Sequence, residues 1–354
     1  MEDGAGTEAM LWEPLADGRV RCGLCAHRCT LAPGRRGICQ VRENRDGRLY
    51  TLVYGRVIAR HVDPIEKKPL YHFHPGSTAY SIATPGCNFR CQWCQNWEIS
   101  QQVGTHHLVA GEAATPEQLV AAARQAGSRS IAYTYTEPTI YCEYALATAR
   151  LARPAGLANV FVTNGYMTEQ MLALVAPYLD AANVDLKAFR DETYRTYAGA
   201  RLAPVLASLR QMRRLGIWVE VTTLVIPGIN DDEAELHEAA RFIAEELGAD
   251  TPWHISRFFP NYELRGVPPT PPETLQRAQA AGRAAGLHHV YLGNVRTEAN
   301  TVCHACAALL IRRLGFGVVE NRVTAGGDCP QCGAPVAGVG MGGPQPGQRP
   351  GRAG

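Results

Sequence analysis

Three cysteines within eight residues carry the clearest chemistry in this sequence. They are Cys87, Cys91 and Cys94, and Gly86 directly before them allows a tight backbone turn. Their thiolates could hold an iron–sulfur cluster from a single loop, but a four-iron cluster takes four protein ligands. One iron would therefore be open to a small chelating molecule. A zinc site would close its shell with four ligands, and a disulfide framework would need an oxidising compartment, so both fit this loop less well.

A second group of cysteines lies near the N-terminus, at Cys22, Cys25, Cys29 and Cys39. Four soft ligands so close in sequence could complete a zinc site or a second iron–sulfur cluster. The spacing does not choose between these two, and a structural role for free thiols is the third alternative.

The third group contains two C-x2-C pairs, at Cys303, Cys306, Cys329 and Cys332. Two pairs with this separation are typical of a closed structural zinc site. We therefore expect a zinc-ribbon-like module at this end of the chain.

Polar side chains lie at or just beyond the ends of three predicted strands, at Glu137, Asn164, Asp185 and Lys187. Asp185 and Lys187 are two residues apart, so they share one face of a strand and bring a carboxylate and an ammonium together. A structural ion pair is the alternative for these two residues. For Glu137 the alternative is a solvated loop carboxylate or a charge at a helix N-terminus.

Two weaker candidates lie further along the chain. Asp231 follows the Pro227-Gly228 turn, where it is either part of a ligand site or simply a helix cap. His254 lies in a predicted strand, where a lone histidine is more often packed than catalytic.

An alternation of short strands and helices has to position these side chains. Strands are predicted at residues 79–82, 130–135, 160–163, 182–186, 218–226, 253–256 and 289–292. Helices are predicted at residues 116–125, 139–150, 168–177, 204–215, 231 or 232 to 247, and 272–286. This pattern indicates an α/β fold with a parallel sheet and six β/α units, too few to close a barrel of about eight strands. Chemistry in such folds gathers at the carboxyl ends of the strands.

The predicted organisation has four parts. Residues 1–75 form a Cys-rich module with a β-hairpin over residues 47–60 centred near Gly55, and residues 76–295 form the partial barrel. Residues 296–337 form the zinc-ribbon-like module, and the Gly- and Pro-rich residues 338–354 are predicted to be disordered.

The composition excludes several classes of protein. The 354 residues are 46% hydrophobic with a net charge of +2, which favours a globular protein without a general attraction to nucleic acid or anionic membranes. The sequence has no apolar leader and no apolar run of about 18 residues, so we expect a cytoplasmic protein that does not enter membranes. Twelve cysteines in a reducing compartment indicate metal or cluster ligation.

The C-x3-C-x2-C spacing, with Trp93 before the last cysteine, resembles the signature of the radical S-adenosylmethionine (SAM) enzymes. Residues 20–337 more specifically resemble the AmmeMemoRadiSam-system radical SAM enzymes, which are similar to pyruvate formate-lyase activating enzymes. The motifs that carry this resemblance lie at residues 22–25, 63–70, 72–76, 95–97 and 135–139.

The resemblance implies a partial (β/α)6 TIM-like barrel, a [4Fe-4S] cluster on the three loop cysteines, and SAM on the open iron. It also implies that Glu137 binds the amino end of SAM, that Asn164, Asp185 and Lys187 lie around SAM and its ribose, and that residues 225–231 support its adenine. Glu137 stands in Thr-Glu-Pro where many relatives have Gly-Gly-Glu. Val162 replaces an aspartate that is frequent in activating enzymes, which puts a monovalent-cation site there in doubt.

The implied activity is reductive cleavage of SAM to methionine and a 5'-deoxyadenosyl radical, which takes a hydrogen atom from a substrate. Asp185 and Lys187 are the candidate catalytic residues of this oxidoreductase-like enzyme. Its implied partners are a flavodoxin- or ferredoxin-type electron donor and Memo-like and Ammecr-like proteins.

Three classes of function follow: an enzyme acting on a small molecule or nucleic acid, an activase that makes a glycyl radical on a protein, and a non-catalytic electron carrier or metal-binding scaffold. A carrier would not need four polar residues at successive strand ends.

Overall fold

A central sheet of eight strands organises the computed structural model, which describes residues 6–103, 109–296 and 298–342. The strands of the described residues are, in chain order, β1 (Thr7–Glu8), β2 (Trp12–Pro14), β3 (Val20–Cys22), β4 (Thr30–Leu31), β5 (Arg42–Arg45), β6 (Arg48–Thr51), β7 (Arg56–Val57), β8 (Ala59–Pro64), β9 (Thr78–Ala83), β10 (Glu112–Ala113), β11 (Ser130–Tyr133), β12 (Ala158–Thr163), β13 (Ala181–Asp185), β14 (Trp218–Val225), β15 (Trp253–Arg257), β16 (Val290–Gly293), β17 (Thr301–Val302), β18 (Leu309–Leu314) and β19 (Gly317–Asn321).

Helices connect the parallel strands of this sheet. They are α1 (Trp97–Ser100), α2 (Pro116–Gln125), α3 (Cys142–Ala152), α4 (Glu169–Val175), α5 (Asp191–Thr193), α6 (Leu202–Arg214), α7 (Glu233–Phe242) and α8 (Pro272–Ala284). Wider π turns continue α5 over Tyr194–Ala198 and α7 over Ile243–Leu247, and 3-10 turns lie at Ala16–Gly18, Ile65–Lys67 and Pro138–Tyr141.

The strand order of the central sheet is β16-β15-β14-β13-β12-β11-β9-β8. Seven strands, β9 and β11 to β16, run parallel, and β8 lies antiparallel to β9. In the described residues β8 and β16 are the two edges, so the sheet is open. The predicted α/β class and all seven predicted strands are confirmed, with each boundary within two residues of its predicted position.

Local capping chemistry fixes two of the predicted helix starts. Thr115 and Gln118 form a reciprocal capping box before α2, with Pro116 in the first turn. Asp232 rather than Asp231 caps α7, because its side chain accepts a hydrogen bond from the Glu235 backbone N–H. These short-range signals explain why the helix starts could be read from the sequence.

The predicted hairpin centred near Gly55 is wrong in position. The hairpin joins β5 and β6 through Asp46 and Gly47, which have φ values of +52° and +85°. An Asp-Gly pair supplies the positive φ angles that a tight hairpin turn requires. Residues 59–64 instead form β8 and add an antiparallel edge to the central sheet.

The C-terminal module consists of β17, β18 and β19 and packs against the loop before β9. Arg313 is fully buried and donates hydrogen bonds to the Tyr71 carbonyl and the Thr301 hydroxyl, both at 2.8 Å. The predicted disorder from residue 338 onward is wrong for residues 338–342, because Val339 exchanges backbone hydrogen bonds with the segment around His72 and His74. Residues 343–354 lie outside the described residues.

None of the helices in the described part of the chain combines the length and the apolar character needed to cross a membrane.

Candidate active site

The cysteine loop directly follows β9, at the carboxyl end of the parallel sheet. Gly86 begins it with a φ of +97°, and its N–H donates to the Ile99 carbonyl at 2.9 Å. A Cβ atom at this position would lie 2.8 Å from Val41 Cγ1 and 3.0 Å from the Cys39 carbonyl oxygen. Glycine is therefore required both by the backbone angle and by the close approach of the N-terminal module.

Backbone hydrogen bonds attach the loop to segments that follow two other strands. Arg90 N–H donates to Ala198 O at 2.8 Å and Gln92 N–H to Tyr197 O at 3.0 Å, both beyond β13. Glu263 N–H, beyond β15, donates to Gln92 O at 2.9 Å. The cysteines are thus held over the mouth of the sheet from several sides.

The loop thiols lie close enough to affect one another. Burial raises the pKa of Cys87, and the neighbouring Glu137 carboxylate and the Cys91 and Cys94 thiols raise it further. Burial also raises the pKa of Cys91 to about 12, although the Lys187 ammonium opposes this rise. Three thiols in a desolvated loop fit a group that supplies positive charge, as an iron–sulfur cluster does.

Glu137 is almost fully buried and accepts four hydrogen bonds from neighbouring residues. One carboxylate oxygen accepts from Thr139 N–H at 3.0 Å, Thr139 Oγ1 at 2.5 Å and Thr163 Oγ1 at 2.6 Å. The other oxygen accepts from Asn164 N–H at 2.8 Å. A carboxylate has about four acceptor sites, so these bonds largely saturate it. Burial raises the pKa of Glu137, and the four donors oppose that rise.

Asn164 joins the end of β12 to the cysteine loop. Its Nδ2 donates to Asn88 Oδ1 at 2.7 Å and lies 4.0 Å from Cys87 Sγ, while its Oδ1 accepts from Tyr166 N–H at 3.1 Å. The backbone bond from Asn164 to Glu137 fixes the same residue from the β11 side. Two sequence-predicted residues thus meet beside the first loop cysteine.

Asp185 and Lys187 form the expected pair on one face at the end of β13. Lys187 Nζ lies 3.1 Å from Asp185 Oδ2, and their side chains are 15% and 37% exposed. Burial alone would lower the pKa of Lys187, but the Asp185 carboxylate and the Cys91 thiol outweigh it and raise that pKa. The ammonium therefore stays charged, paired with the Asp185 carboxylate and under the electrostatic influence of a loop cysteine.

Asn230 is a site residue that the sequence reasoning missed. It is buried, its Oδ1 accepts from Ile226 N–H at 2.6 Å, and its Nδ2 donates to the carbonyls of Lys187 at 2.7 Å and Leu224 at 2.9 Å. It thereby ties the Asp185-Lys187 segment to the end of β14. The available signal was an asparagine two residues after the Pro227-Gly228 pair, within the segment 225–231 that the resemblance places near the adenine.

Asp231 and His254 each hydrogen-bond to other parts of the fold. Asp231 accepts from Gly228 N–H at 2.8 Å within the turn. His254 is buried with its Nε2 2.7 Å from Glu220 Oε2. Packing of His254 was the favoured sequence interpretation, and the structure agrees with it.

A buried ion pair lies at the β8 edge of the sheet, and the sequence reasoning missed it as well. Lys68 Nζ lies 2.7 Å from Asp63 Oδ2 and 4.3 Å from the centre of the Tyr135 ring. Tyr135 donates its hydroxyl hydrogen to Asp63 and has a φ of +63°. The Tyr135 carbonyl in turn accepts from Asn96 Nδ2 of the cysteine loop at 2.8 Å.

The two outer cysteine groups are each assembled by the fold. The N-terminal thiols influence one another, since burial and the nearby Cys22, Cys39 and Cys29 thiols raise the pKa of Cys25. In the C-terminal group Cys303 Sγ lies 3.6 Å from Cys332 Sγ and Cys306 Sγ lies 3.7 Å from Cys329 Sγ. All four of these sulfur atoms lie within 4.8 Å of one another.

Comparison with known proteins agrees with this site. The family model described as the radical SAM superfamily matches residues 81–240. An uncharacterized protein of Methanocaldococcus jannaschii is 45% identical over 311 residues, covering 87% of this chain and 92% of that protein. The isethionate sulfite-lyase activating enzyme of Oleidesulfovibrio alaskensis is 32% identical over 111 residues, covering 31% of this chain and only 36% of that enzyme.

Among solved structures, a radical SAM methyltransferase from Sphaerobacter thermophilus aligns with a TM-score of 0.49 and 19% identity, over 67% of this chain and 71% of that one. The family match begins within β9 and ends within α7, so it includes the cysteine loop and the ends of four further strands. The match of the family model over residues 81–240, which contain the cysteine loop, places this part of the chain in the radical SAM superfamily.

Proposed function

We propose that this protein is an enzyme that binds a [4Fe-4S] cluster through Cys87, Cys91 and Cys94 and cleaves SAM reductively. The cluster and SAM, when bound, supply a 5'-deoxyadenosyl radical that takes a hydrogen atom from a substrate. The observation that carries the proposal is the Asp185-Lys187 pair at the end of β13, which lies near enough to the cysteine loop to shift the pKa of Cys91. A cluster-binding loop that served only electron storage would not need this pair.

Lys187 is the residue suited to hold a carboxylate next to the cluster. Its ammonium is mostly buried, so an anion beside it would be screened little by solvent. Asp185 is more exposed and uses one oxygen for Lys187, which leaves acceptor sites for the hydroxyl groups of a ribose. Both residues are therefore proposed as catalytic residues that contact SAM.

Glu137 and Asn164 are proposed to act together. The four protein donors around Glu137 make it a positioning residue that fixes the Asn164 backbone. Asn164 then presents its side chain between the cysteine loop and the mouth of the sheet. This revises the expectation that Glu137 itself binds the amino group of SAM.

The C-terminal cysteines are proposed to hold structural zinc. A tetrahedral zinc with Zn–S bonds of about 2.3 Å separates its sulfur ligands by roughly 3.8 Å. Two of the sulfur pairs, at 3.6 and 3.7 Å, match that separation, and all four sulfurs lie within 4.8 Å of one another. The module packs through Arg313 on the segment before β9, so zinc there would stabilise the barrel.

A second candidate function is that of an activase acting on a protein, and the similarity to an activating enzyme favours it. Such an enzyme would leave a glycyl radical on a partner chain, using a flavodoxin- or ferredoxin-type donor. Association with Memo-like and Ammecr-like proteins belongs to the same proposal. Transfer of deuterium from a glycine-labelled partner into 5'-deoxyadenosine would support this candidate, and transfer only from a small molecule would contradict it.

The experiment that tests the proposed function compares two lysine variants after anaerobic cluster reconstitution. Lys187→Met should keep the iron content of the wild type but bind SAM more weakly and form less 5'-deoxyadenosine. Lys67→Met is the matched control, because its side chain is 48% exposed and pairs with Asp63 rather than with the cysteine loop. Equal SAM affinity in wild type and Lys187→Met would overturn the role of this residue.

A further inference from the structure

We propose that an acidic one-electron donor protein docks on one side of the cysteine loop, on a surface formed by Arg28, Ile38, Arg90 and Arg201. We call this surface the donor face. Its role rests on the proposed function, because the docked donor supplies the electron that starts SAM cleavage.

Arg90 is an exposed guanidinium inside the cysteine loop itself. Its Nη1 donates to the carbonyl oxygens of Cys87 at 3.0 Å and Phe89 at 3.1 Å, and to Gln101 Oε1 at 3.1 Å. Its Nη2 donates to the carbonyl oxygen of Ile38. All four acceptors are neutral, and no carboxylate in the described part of the chain pairs with Arg90. Its positive charge is therefore available to a partner.

The contacts of Arg90 also give a short path for an electron. Its Nη1 bonds to the carbonyl of Cys87, the first of the three proposed cluster ligands. The Arg90 N–H donates to Ala198 O at 2.8 Å, which fixes the backbone of the residue. A donor that touches this guanidinium is separated from the Cys87 sulfur by one hydrogen bond and the covalent bonds of one residue.

Ile38 places an apolar side chain next to Arg90. The side chain is 41% exposed, and the carbonyl of the same residue accepts the hydrogen bond from Arg90. A single exposed apolar residue is ordinary by itself, but protein interfaces combine an apolar contact with a charged rim. Ile38 can supply that contact beside the loop.

Arg28 extends the positive charge on the side of the N-terminal module. It directly follows His27, whose Nε2 lies 2.8 Å from the carbonyl oxygen of Asn88 in the cysteine loop. Arg90 lies near enough to His27 to help lower the pKa of that histidine, although burial is the larger cause. Arg28 is exposed, and its side chain has no carboxylate partner among the described residues.

Arg201 extends the positive charge on the other side. Its side chain is 57% exposed, and its charge opposes the burial that raises the pKa of Tyr166. The Tyr166 ring packs against Phe89 of the cysteine loop, with 5.2 Å between the ring centres. Asp191 lies 3.6 Å from Arg201 Nη1 but pairs more closely, at 2.8 Å, with Arg195. Arg201 is therefore only partly neutralised.

Charge distinguishes the donor face from the other exposed stretch of the loop. That stretch contains Gln95, Asn96 and Glu98, which are two neutral amides and a carboxylate. The donor face has three guanidinium groups beside two carboxylates of α5, Asp191 and Glu192, and Asp191 is shared with a fourth arginine. Surfaces of opposite charge accelerate encounter, so an acidic protein would approach the loop from the donor face.

The docked pair exchanges one electron and no atoms. The reduced donor loses one electron and becomes oxidised, and the cysteine-loop cluster gains that electron. The oxidised donor then dissociates, which leaves the donor face free for the next reduced donor.

The test measures binding of a plant-type [2Fe–2S] ferredoxin to the anaerobically reconstituted full chain by isothermal titration calorimetry. At an ionic strength of about 0.01 M, Arg28→Glu should weaken binding about fivefold, and at about 0.15 M the difference should be smaller. Ile38→Ala should weaken binding by a factor of about five at both ionic strengths, because it removes apolar contact. Arg90 is kept, since it holds the loop backbone.

Two matched controls lie at the opposite edge of the sheet. Arg283→Glu changes an exposed arginine in the last turn of α8, and Leu151→Ala changes a side chain of α3 that is 38% exposed. Both should bind the ferredoxin as the wild type does. Wild-type affinity in Arg28→Glu and Ile38→Ala, or equal losses in the controls, would overturn the donor face. Equally tight binding of an acidic protein without a redox centre would also overturn it.

A comparison of two reductants separates the donor face from the proposed function. Dithionite is a small molecule that needs no docking surface. At subsaturating ferredoxin, the ratio of ferredoxin-driven to dithionite-driven 5'-deoxyadenosine formation should fall about fivefold in Arg28→Glu and in Ile38→Ala. An unchanged ratio would overturn the donor face. If neither reductant yields 5'-deoxyadenosine with the wild type, the proposed function fails, and the binding measurements still decide whether the donor face exists.

Discussion

Replacement of Glu137 by glutamine distinguishes a residue that braces the site from one that binds SAM directly. The substitution preserves shape but converts one acceptor oxygen into an NH2 donor. If the amide oxygen keeps the three donors from Thr139 and Thr163, the new NH2 group faces the Asn164 N–H that now lies 2.8 Å from Oε2. One buried N–H then has no acceptor, which costs about 1–3 kcal/mol.

A second effect partly offsets this cost. Burial raises the pKa of Glu137, so the ionised carboxylate is itself disfavoured by desolvation, and a neutral amide removes that penalty. We therefore expect a loss of about 1–2 kcal/mol. For a chain of 354 residues that loss corresponds to a decrease in Tm of roughly 1–3 °C.

The assay combines thermal unfolding of the reconstituted protein with equilibrium dialysis of SAM. A bracing residue predicts that Glu137→Gln lowers both the Tm and the affinity for SAM, because the Asn164 backbone is displaced. The control is Glu98→Gln, the same change at an exposed position next to the cysteine loop. Weaker SAM binding with an unchanged Tm would refute the bracing role and assign Glu137 to direct contact with SAM.

Three further predictions concern other parts of the molecule. Gly86→Ala should lower the free energy of unfolding by at least about 1 kcal/mol more than Gly127→Ala does, as measured by thermal unfolding. Both glycines have a positive φ, but only a Cβ atom at Gly86 would have neighbours within 3.0 Å. Equal losses in the two variants would contradict this close approach. Cys332→Ser should remove about one zinc per chain without loss of iron, measured by elemental analysis, and unchanged zinc would contradict the assignment. Burial alone would raise the pKa of Asp63, but hydrogen bonds from Lys68, Tyr135 and Lys67 hold that pKa well below its usual range. The ionised Asp63 carboxylate therefore stabilises the fold above about pH 4, and this stabilisation is lost as the pH falls further. In Asp63→Asn, the free energy of unfolding should depend less on pH below about pH 4. An unchanged pH dependence in that range would contradict the role of this carboxylate.

The elements that could be predicted from the sequence depend on local or periodic signals. The runs at β12 and β14 are apolar and β-branched along most of their length, as fully covered parallel strands require. The Thr115 cap and the spacing of Cys87, Cys91 and Cys94 are likewise contained within a few residues. The same-face position of Asp185 and Lys187 followed from the two-residue period of a strand, and their distance agrees with it.

The features that escaped prediction depend on contacts between distant segments. Glu137 accepts bonds from Thr163 and Asn164 because β11 and β12 bring these residues to it, and nothing in the local sequence reports those donors. Residues 59–64 could equally have extended a hairpin, and only pairing with β9 makes them an edge of the central sheet. Val339 is ordered by backbone bonds to a segment more than 260 residues away, against its Gly-rich local composition.

The cysteine-loop assignment is tested most directly by the formation of 5'-deoxyadenosine from SAM after anaerobic reduction. Cys91→Ala is compared with Cys142→Ala, since Cys142 is a buried cysteine of α3 that belongs to none of the three cysteine groups. Wild type and Cys142→Ala should form 5'-deoxyadenosine and methionine in equal amounts, and Cys91→Ala should form neither above background. Undiminished cleavage by Cys91→Ala, or no cleavage by wild-type protein with a verified cluster, would contradict the assignment.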